Sequence, residues 1–150
     1  MDTPAGVDRL PDGPVRRMFQ AARTHDLDAM VAEFVEDYVN TTPNHPARSF
    51  TGRAQVRSNW SALFAGIPDL QVEVRDAATG ADGKVWVEWE SHGTRRDGLA
   101  VEQAGVAIFS LRGDRLSAAR FYLEPVERDT GDVNAAVRSV AGAGPEGSRP

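Results

Sequence analysis

Apolar residues recur every three or four positions in three stretches of the first half of the chain, the spacing of amphipathic helices. The first stretch follows Pro14, a residue suited to a first helical turn, and carries Val15, Met18, Phe19 and Ala22. The second follows Asp26, a good N-cap, and carries Leu27, Met30, Val31, Phe34 and Val35. The third, residues 53–65, carries Val56, Trp60, Leu63 and Phe64. The pattern predicts three helices, the first two joined as a helical hairpin.

The second half of the chain changes to alternation of apolar and polar residues, which predicts strands. Residues 70–75 form the first, and residues 84–91 the second, with Val85, Val87 and Trp89 on one face and Trp86, Glu88, Glu90 and His92 on the other. A long strand over residues 99–111, with Gly105 as an expected bulge, leads into a hairpin that turns at Arg112–Arg115. Residues 38–50, rich in Pro, Asn and Thr, predict a loop with a short strand at Tyr38–Thr41.

Helices followed by strands predict an α+β fold with a mainly antiparallel, strongly twisted sheet curled around the helices. Such a sheet leaves an apolar hollow at its open end, which is a default ligand site. The expected organisation is a flexible leader over residues 1–12, one domain over residues 13–127, and a tail over residues 128–150. In that tail we expect one weak helix and then disorder.

Composition narrows the function further. The chain has 150 residues, a net charge of −5 and no cysteine, so thiol catalysis, disulfides and zinc–thiolate sites are excluded. No basic cluster is interleaved with aromatics, which argues against a nucleic-acid partner. No apolar run is long enough for a membrane span or a signal peptide, so we expect a cytoplasmic protein. Three separated histidines (His25, His45 and His92) predict no metal site, and no glycine loop predicts a nucleotide cofactor.

The last predicted strand, Leu116–Pro125, holds the most interesting chemistry. Alternation places Arg120, Tyr122 and Glu124 on one face and Ala119, Phe121 and Leu123 on the other. If the first set faces the hollow, Glu124 can move a proton and Tyr122 can bond a substrate oxygen, with Arg120 favouring the ionised carboxylate. If the second set faces inward, the strand only packs. A one-residue slip reverses the two sets, so the pattern leaves both open.

Three stretches resemble the SnoaL-like branch of the nuclear transport factor 2-like superfamily, which includes polyketide cyclases, ketosteroid isomerases and limonene-epoxide hydrolases. They are the segments Gly52–Leu70, Val85–Thr94 and Ile108–Pro125, and with the helical hairpin the resemblance covers residues 14–126. It implies a cone-shaped α+β barrel with a deep pocket and a homodimer through the outer sheet face. It also implies an acid–base carboxylate near the end of the last strand, where this chain has Glu124.

The predicted catalytic residues are therefore Glu124 and Tyr122. The predicted substrate-binding residues, drawn from the helices, strands and loop that border the hollow, are Asn40, Asn59, Trp60, Phe64, Trp89, His92 and Arg120. On the predicted outer strand face, Glu90 and His92 form an alternative acid–base pair.

We expect a cofactor-independent isomerase or cyclase acting on an apolar carbonyl compound of polyketide or terpenoid type. Two alternatives stay open: a dimer that binds a ligand without catalysis, and an epoxide hydrolase using Arg75, Asp76 and Glu124 around a water.

Overall fold

The structure is a computed structural model that describes residues 6–142. Within this range the α-helices are α1 (Pro14–Arg23), α2 (Leu27–Val31), α3 (Arg53–Gly66) and α4 (Val133–Ala141). The β-strands are β1 (Phe34–Thr41), β2 (Phe50–Thr51), β3 (Gln71–Thr79), β4 (Val85–Thr94), β5 (Ala100–Arg112) and β6 (Arg115–Pro125). Short 3-10 turns at Val7–Arg9 and Pro46–Arg48 complete these elements.

The strands form one sheet in the order β2-β1-β6-β5-β4-β3. Every neighbouring pair is antiparallel except β1 and β6, which run parallel. The predicted α+β class and the mainly antiparallel sheet are confirmed. The sheet keeps two free edges, at β2 and β3, so the cone it forms is open rather than a closed barrel.

One face of the sheet forms the core together with α1. Strand register brings Val87, Ala107 and Phe121 side by side on this inner face. From α1, Phe19 packs edge-on against Trp89 and Phe109, with ring centroids 5.3 and 6.1 Å apart. Edge-to-face packing of this kind stabilises the contact beyond simple area burial. The inner face is therefore set by the period-two pattern that the sequence showed.

The second helix is shorter than predicted. It ends at Val31, and Phe34 and Val35 belong to β1. Asp26 caps the helix as expected, its carboxylate accepting from the Ala29 N–H at 3.1 Å. Pairing with β6 then takes over: Phe34 lies opposite Leu116, whose N–H donates to the Glu33 carbonyl at 2.8 Å. Tertiary pairing overrides a local helical spacing here.

Two other expectations are corrected. Gly105 is not a bulge, because its pairing with Trp89 and Leu123 is unbroken. A Cβ at this glycine would lie 2.0 Å from the Tyr122 carbonyl oxygen, so close strand approach requires its missing side chain. The prediction of a flexible leader is also wrong for residues 6–10, since the side chains of Val7 and Leu10 are buried in the core. Residues 1–5 lie outside the described residues.

Helix α4 lies at the predicted weak helix and has no buried residue. Its valines, Val133, Val137 and Val140, are all exposed. The segment before it is tied to β5, because Arg128 pairs with the Glu102 carboxylate through two hydrogen bonds of 3.1 and 2.6 Å. The expected disorder after residue 142 lies outside the described residues. No helix in residues 6–142 has the length and apolar character needed to span a bilayer.

Candidate functional site

A cavity of about 580 Å³ opens between α3 and the inner face of the sheet. Its volume falls in the range of pockets that hold small organic ligands. Its walls are mainly apolar and aromatic, and they include Phe19, Phe34, Phe50, Val56, Trp60, Trp89, Phe109, Phe121 and Leu123. The predicted hollow is thus present, and it is not filled by side chains.

A buried polar pair lies among these walls. The Tyr38 hydroxyl donates to the Asn40 Oδ1 atom at 2.8 Å, and both residues line the cavity. Tyr38 is 1% exposed and Asn40 is 7% exposed. Burial raises the pKa of the Tyr38 phenol above its ordinary value, so the hydroxyl stays protonated and able to donate. Because this bond occupies the Asn40 carbonyl oxygen, the amide N–H₂ is the group left to face a ligand.

Trp89 adds a second polar atom to the cavity wall. Its side chain is 3% exposed, and its Nε1–H has no hydrogen-bond partner among the described residues. Buried donors are nearly always paired, and the described residues around this one supply no acceptor. Asn40 and Trp89, both predicted to bind substrate, both line the cavity, and of their two donors the Asn40 amide is the one that a ligand oxygen can reach.

We define the mouth of the cavity by its half-exposed and exposed polar lining residues, which are Thr42, Arg48, Asn59, Ser91, His92, Glu102 and Gln103. Two of them were predicted to bind substrate. Asn59 lines the cavity from α3, where its Oδ1 accepts from the Gln55 amide at 2.8 Å. His92 lines it from β4. Exposed polar groups thus border an interior that is apolar apart from the Tyr38–Asn40 pair.

The last strand turns its aromatic set inward. Phe121 and Leu123 line the cavity, whereas Arg120, Tyr122 and Glu124 alternate with them and are absent from the lining formed by the described residues. The Glu124 Oε1 atom instead lies 2.6 Å from the His45 Nε2 atom. Both side chains are partly exposed, at 42% and 36%. The predicted catalytic role of Glu124 and Tyr122 stays a prediction, and the geometry gives neither a direct contact with the cavity.

Of the two aromatic residues of α3 that were predicted to bind substrate, only one lines the cavity. Trp60 lines the cavity, while Phe64 stacks on the His25 ring at a centroid distance of 4.3 Å and is not part of the lining. The Nε2 atom of His25 lies 2.7 Å from the Leu70 carbonyl oxygen.

The outer face of the sheet carries the charged cluster that an epoxide hydrolase would need inside. Arg75 pairs there with Glu90 and with Glu73, the latter at 2.9 Å. The hydrogen bond and the charge of Arg75 hold the pKa of Glu90 below its usual range. Neither Arg75 nor Asp76 belongs to the cavity lining. The residues proposed for a hydrolase therefore do not meet in the cavity.

Sequence reasoning missed Tyr38 and Arg48 as site residues. The alternation Tyr38–Val39–Asn40 could have revealed the first, because residues two apart on a strand point to the same side. Arg48 lies in an irregular loop, and no local pattern reports where such a side chain ends. Among residues 6–142, no three His, Cys, Asp or Glu side chains group closely enough to hold a metal ion.

Comparison with known families and structures identifies the fold. A family model described as the SnoaL-like domain matches residues 15–119. A Mycobacterium tuberculosis protein in complex with estradiol-17β-hemisuccinate is 16% identical, with a TM-score of 0.64 over 81% of this chain and 94% of that chain. A proposed polyketide cyclase of Sinorhizobium meliloti is 21% identical, with a TM-score of 0.60 over 79% and 98%. No curated protein matches the sequence.

Proposed function

The chain belongs to the SnoaL-like domain family, and from this premise we propose that it is a cofactor-independent isomerase or cyclase for an apolar carbonyl compound. One observation carries the proposal: an unfilled cavity of about 580 Å³ whose apolar walls enclose the buried Tyr38–Asn40 pair. Moving an apolar body of polyketide or terpenoid type from water into contact with such walls lowers its free energy. The buried polar pair then favours a ligand with an oxygen at the matching place.

The neutral donor of the cavity suits a carbonyl oxygen. The Asn40 amide can donate to it and carries no charge that would need a counter-ion. When a proton leaves the carbon next to the carbonyl, the electron pair moves to the oxygen. Fixed donors in a site with little water bind this enolate more strongly than the ketone, which lowers the barrier.

The proton acceptor that we propose is His92. The titratable side chains that line the cavity are Tyr38, Arg48, His92 and Glu102. Arg128 already neutralises Glu102, whereas a neutral imidazole has a ring nitrogen that can accept a proton and later give it back. His92 takes the α-proton and gives it back in one of two ways. It protonates the γ-carbon of an enolate that is conjugated with a carbon–carbon double bond, or it protonates the alkoxide that forms when the enolate carbon attacks a second carbonyl of the same molecule. The first outcome is an isomerisation, and the second closes a ring.

A second candidate is a binding protein without catalysis. It is favoured by the position of Glu124, the expected acid, which pairs with His45 outside the cavity. In this case the same walls and donors hold a ligand that leaves unchanged.

Deuterium exchange separates the two candidates. With 2-tetralone as probe in D₂O, NMR measures how fast the α-protons are replaced. If the protein is an enzyme, the α-protons should exchange faster than in buffer alone, and His92→Gln should lower this exchange rate about 10²–10⁴-fold. His25→Gln is the matched control, because this imidazole, which bonds the Leu70 carbonyl, is not part of the cavity lining, and it should exchange like the wild type. Saturable binding of the probe with exchange at the buffer rate would reject the enzyme and select the binding protein.

We also propose that the protein forms a homodimer through the outer sheet face. Register places Trp86 beside Ile108 and Glu88 beside Val106 on this face. Trp86 is 43% exposed there, next to the charged cluster around Arg75. Light scattering after size-exclusion chromatography should give a dimer for the wild type and a monomer for Trp86→Glu. Leu99→Glu, which charges an exposed leucine in the turn between β4 and β5, should stay dimeric.

A further inference from the structure

Arg48 brings an uncommitted positive charge to the mouth of the cavity. It lines the cavity, and among residues 6–142 its side chain has neither an ion-pair partner nor a hydrogen bond. The carboxylate at the mouth, Glu102, is already paired with Arg128 at 2.6 Å. Arg48 is therefore the charged residue of the mouth that has no ion-pair partner in residues 6–142, in a chain whose net charge is −5.

The loop that carries Arg48, residues 42–49, is held in place by a network of hydrogen bonds. The Thr42 N–H donates to the Ser49 Oγ at 3.0 Å, which closes the loop at its base. The Arg48 N–H donates to the His45 carbonyl at 2.9 Å within the 3-10 turn. A loop that is ordered before binding loses less entropy when a ligand arrives.

The contact between His45 and Glu124 fastens this loop to the end of β6. The His45 Nε2 atom and the Glu124 Oε1 atom are 2.6 Å apart. They join a loop residue three positions before Arg48 to a strand residue next to Leu123, which lines the cavity. Glu124 is thus linked to the loop that carries Arg48 although its own side chain does not line the cavity.

We propose that the cavity binds amphipathic acids, with the apolar body inside and an anionic end paired with Arg48 at the mouth. A guanidinium presents two parallel N–H donors that match the two oxygens of a carboxylate, or of a sulfonate. The inference rests on the proposed function, since it takes the cavity as the ligand site, and it adds the charge of the ligand. It also assigns the His45–Glu124 contact the task of holding Arg48 in place.

A matched pair of fluorescent probes tests the proposal. 1-Anilinonaphthalene-8-sulfonate carries an anionic group, and N-phenyl-1-naphthylamine has the same ring system without it. Arg48→Gln should weaken binding of the sulfonate about 5–10-fold and change binding of the neutral probe by less than about 2-fold. Arg48→Lys should lose less than Arg48→Gln, because it keeps the charge and gives up the paired donors. Added salt should weaken binding of the sulfonate probe and leave binding of the neutral probe unchanged.

Two further variants complete the design. Glu124→Gln should weaken binding of the sulfonate but not of the neutral probe. If Glu124 had only a structural role, its replacement would not change the two probes differently. Arg115→Gln is the matched control, since this exposed arginine lies at the opposite end of β6 from Leu123. Thermal unfolding of every variant checks that the fold is intact, because partly unfolded proteins also bind the sulfonate probe.

The outcomes distinguish the inference from the proposed function. If Arg48→Gln leaves sulfonate binding unchanged, or weakens both probes equally, the anionic end is not recognised by Arg48 and the inference is overturned. The 2-tetralone exchange is unaffected by that result. If exchange stays at the buffer rate while binding of the sulfonate still depends on Arg48, the proposed catalytic function is rejected and the proposed anion site is supported.

Discussion

Replacing Tyr38 by phenylalanine removes one oxygen from the centre of the proposed site. The hydroxyl donates to Asn40 at 2.8 Å, and the two residues are 1% and 7% exposed. Phenylalanine fills nearly the same space, so the change leaves the Asn40 carbonyl oxygen buried without its donor. An unsatisfied buried polar atom costs about 1–3 kcal/mol. For a chain of this size that free energy lowers the melting temperature by about 2–4 °C per kcal/mol.

A double-mutant cycle turns this estimate into a sharp test. Asn40→Leu alone leaves the Tyr38 hydroxyl unpaired, whereas Tyr38→Phe with Asn40→Leu removes both polar groups together. Replacing both partners by apolar groups can be nearly neutral, so the double variant should lose about 1–2 kcal/mol less than the sum of the single variants. Urea denaturation measures each free energy of unfolding. Strictly additive losses would show that the two groups do not interact as described, with water in the cavity serving each of them.

Three other predictions follow from the fold. Gly105→Ala should cost about 3 kcal/mol or more in urea denaturation, because the new Cβ would meet a β6 carbonyl oxygen at 2.0 Å, whereas Gly66→Ala, with open space around it, should not destabilise. The raised pKa of Tyr38 predicts that the contribution of this phenol to stability is constant below about pH 10 and is lost as the pH rises further, since only the unfolded chain ionises it readily, and the stability of Tyr38→Phe should therefore fall less steeply with alkaline pH than that of the wild type. Ending the chain at Gly131 removes α4, which buries no residue, and should change the free energy of unfolding by less than about 0.5 kcal/mol.

Local signals predicted those parts of the fold that depend on neighbours in sequence. The hairpin between β5 and β6 is an example, because Gly113, with φ of 61°, supplies the left-handed turn residue that the sequence indicated. The boundary between α2 and β1 is the opposite case. Phe34 fits the helical spacing of the preceding residues, yet its strand partner Leu116 is distant in sequence and no local pattern reports that pairing.

The site shows the same division. Alternation correctly grouped Phe121 with Leu123, and Tyr122 with Glu124, but it could not say which pair faces the cavity. That choice depends on register with β5, where Phe121 lies opposite Ala107 of the inner face. The contact between His45 and Glu124 joins a loop to a strand 79 residues away, and only the folded chain brings the two together.

Binding of N-phenyl-1-naphthylamine to a cavity-blocked variant tests the central claim, that small molecules enter this cavity, most directly. Ala62 and Ala54 are both exposed on α3, and only Ala62 lines the cavity. A fluorescence titration should show saturable binding by the wild type and by Ala54→Trp, and a loss of at least about 10-fold in affinity for Ala62→Trp, whose indole takes up the space of the ligand. Equal affinity of the two tryptophan variants would contradict the account and place the ligand elsewhere.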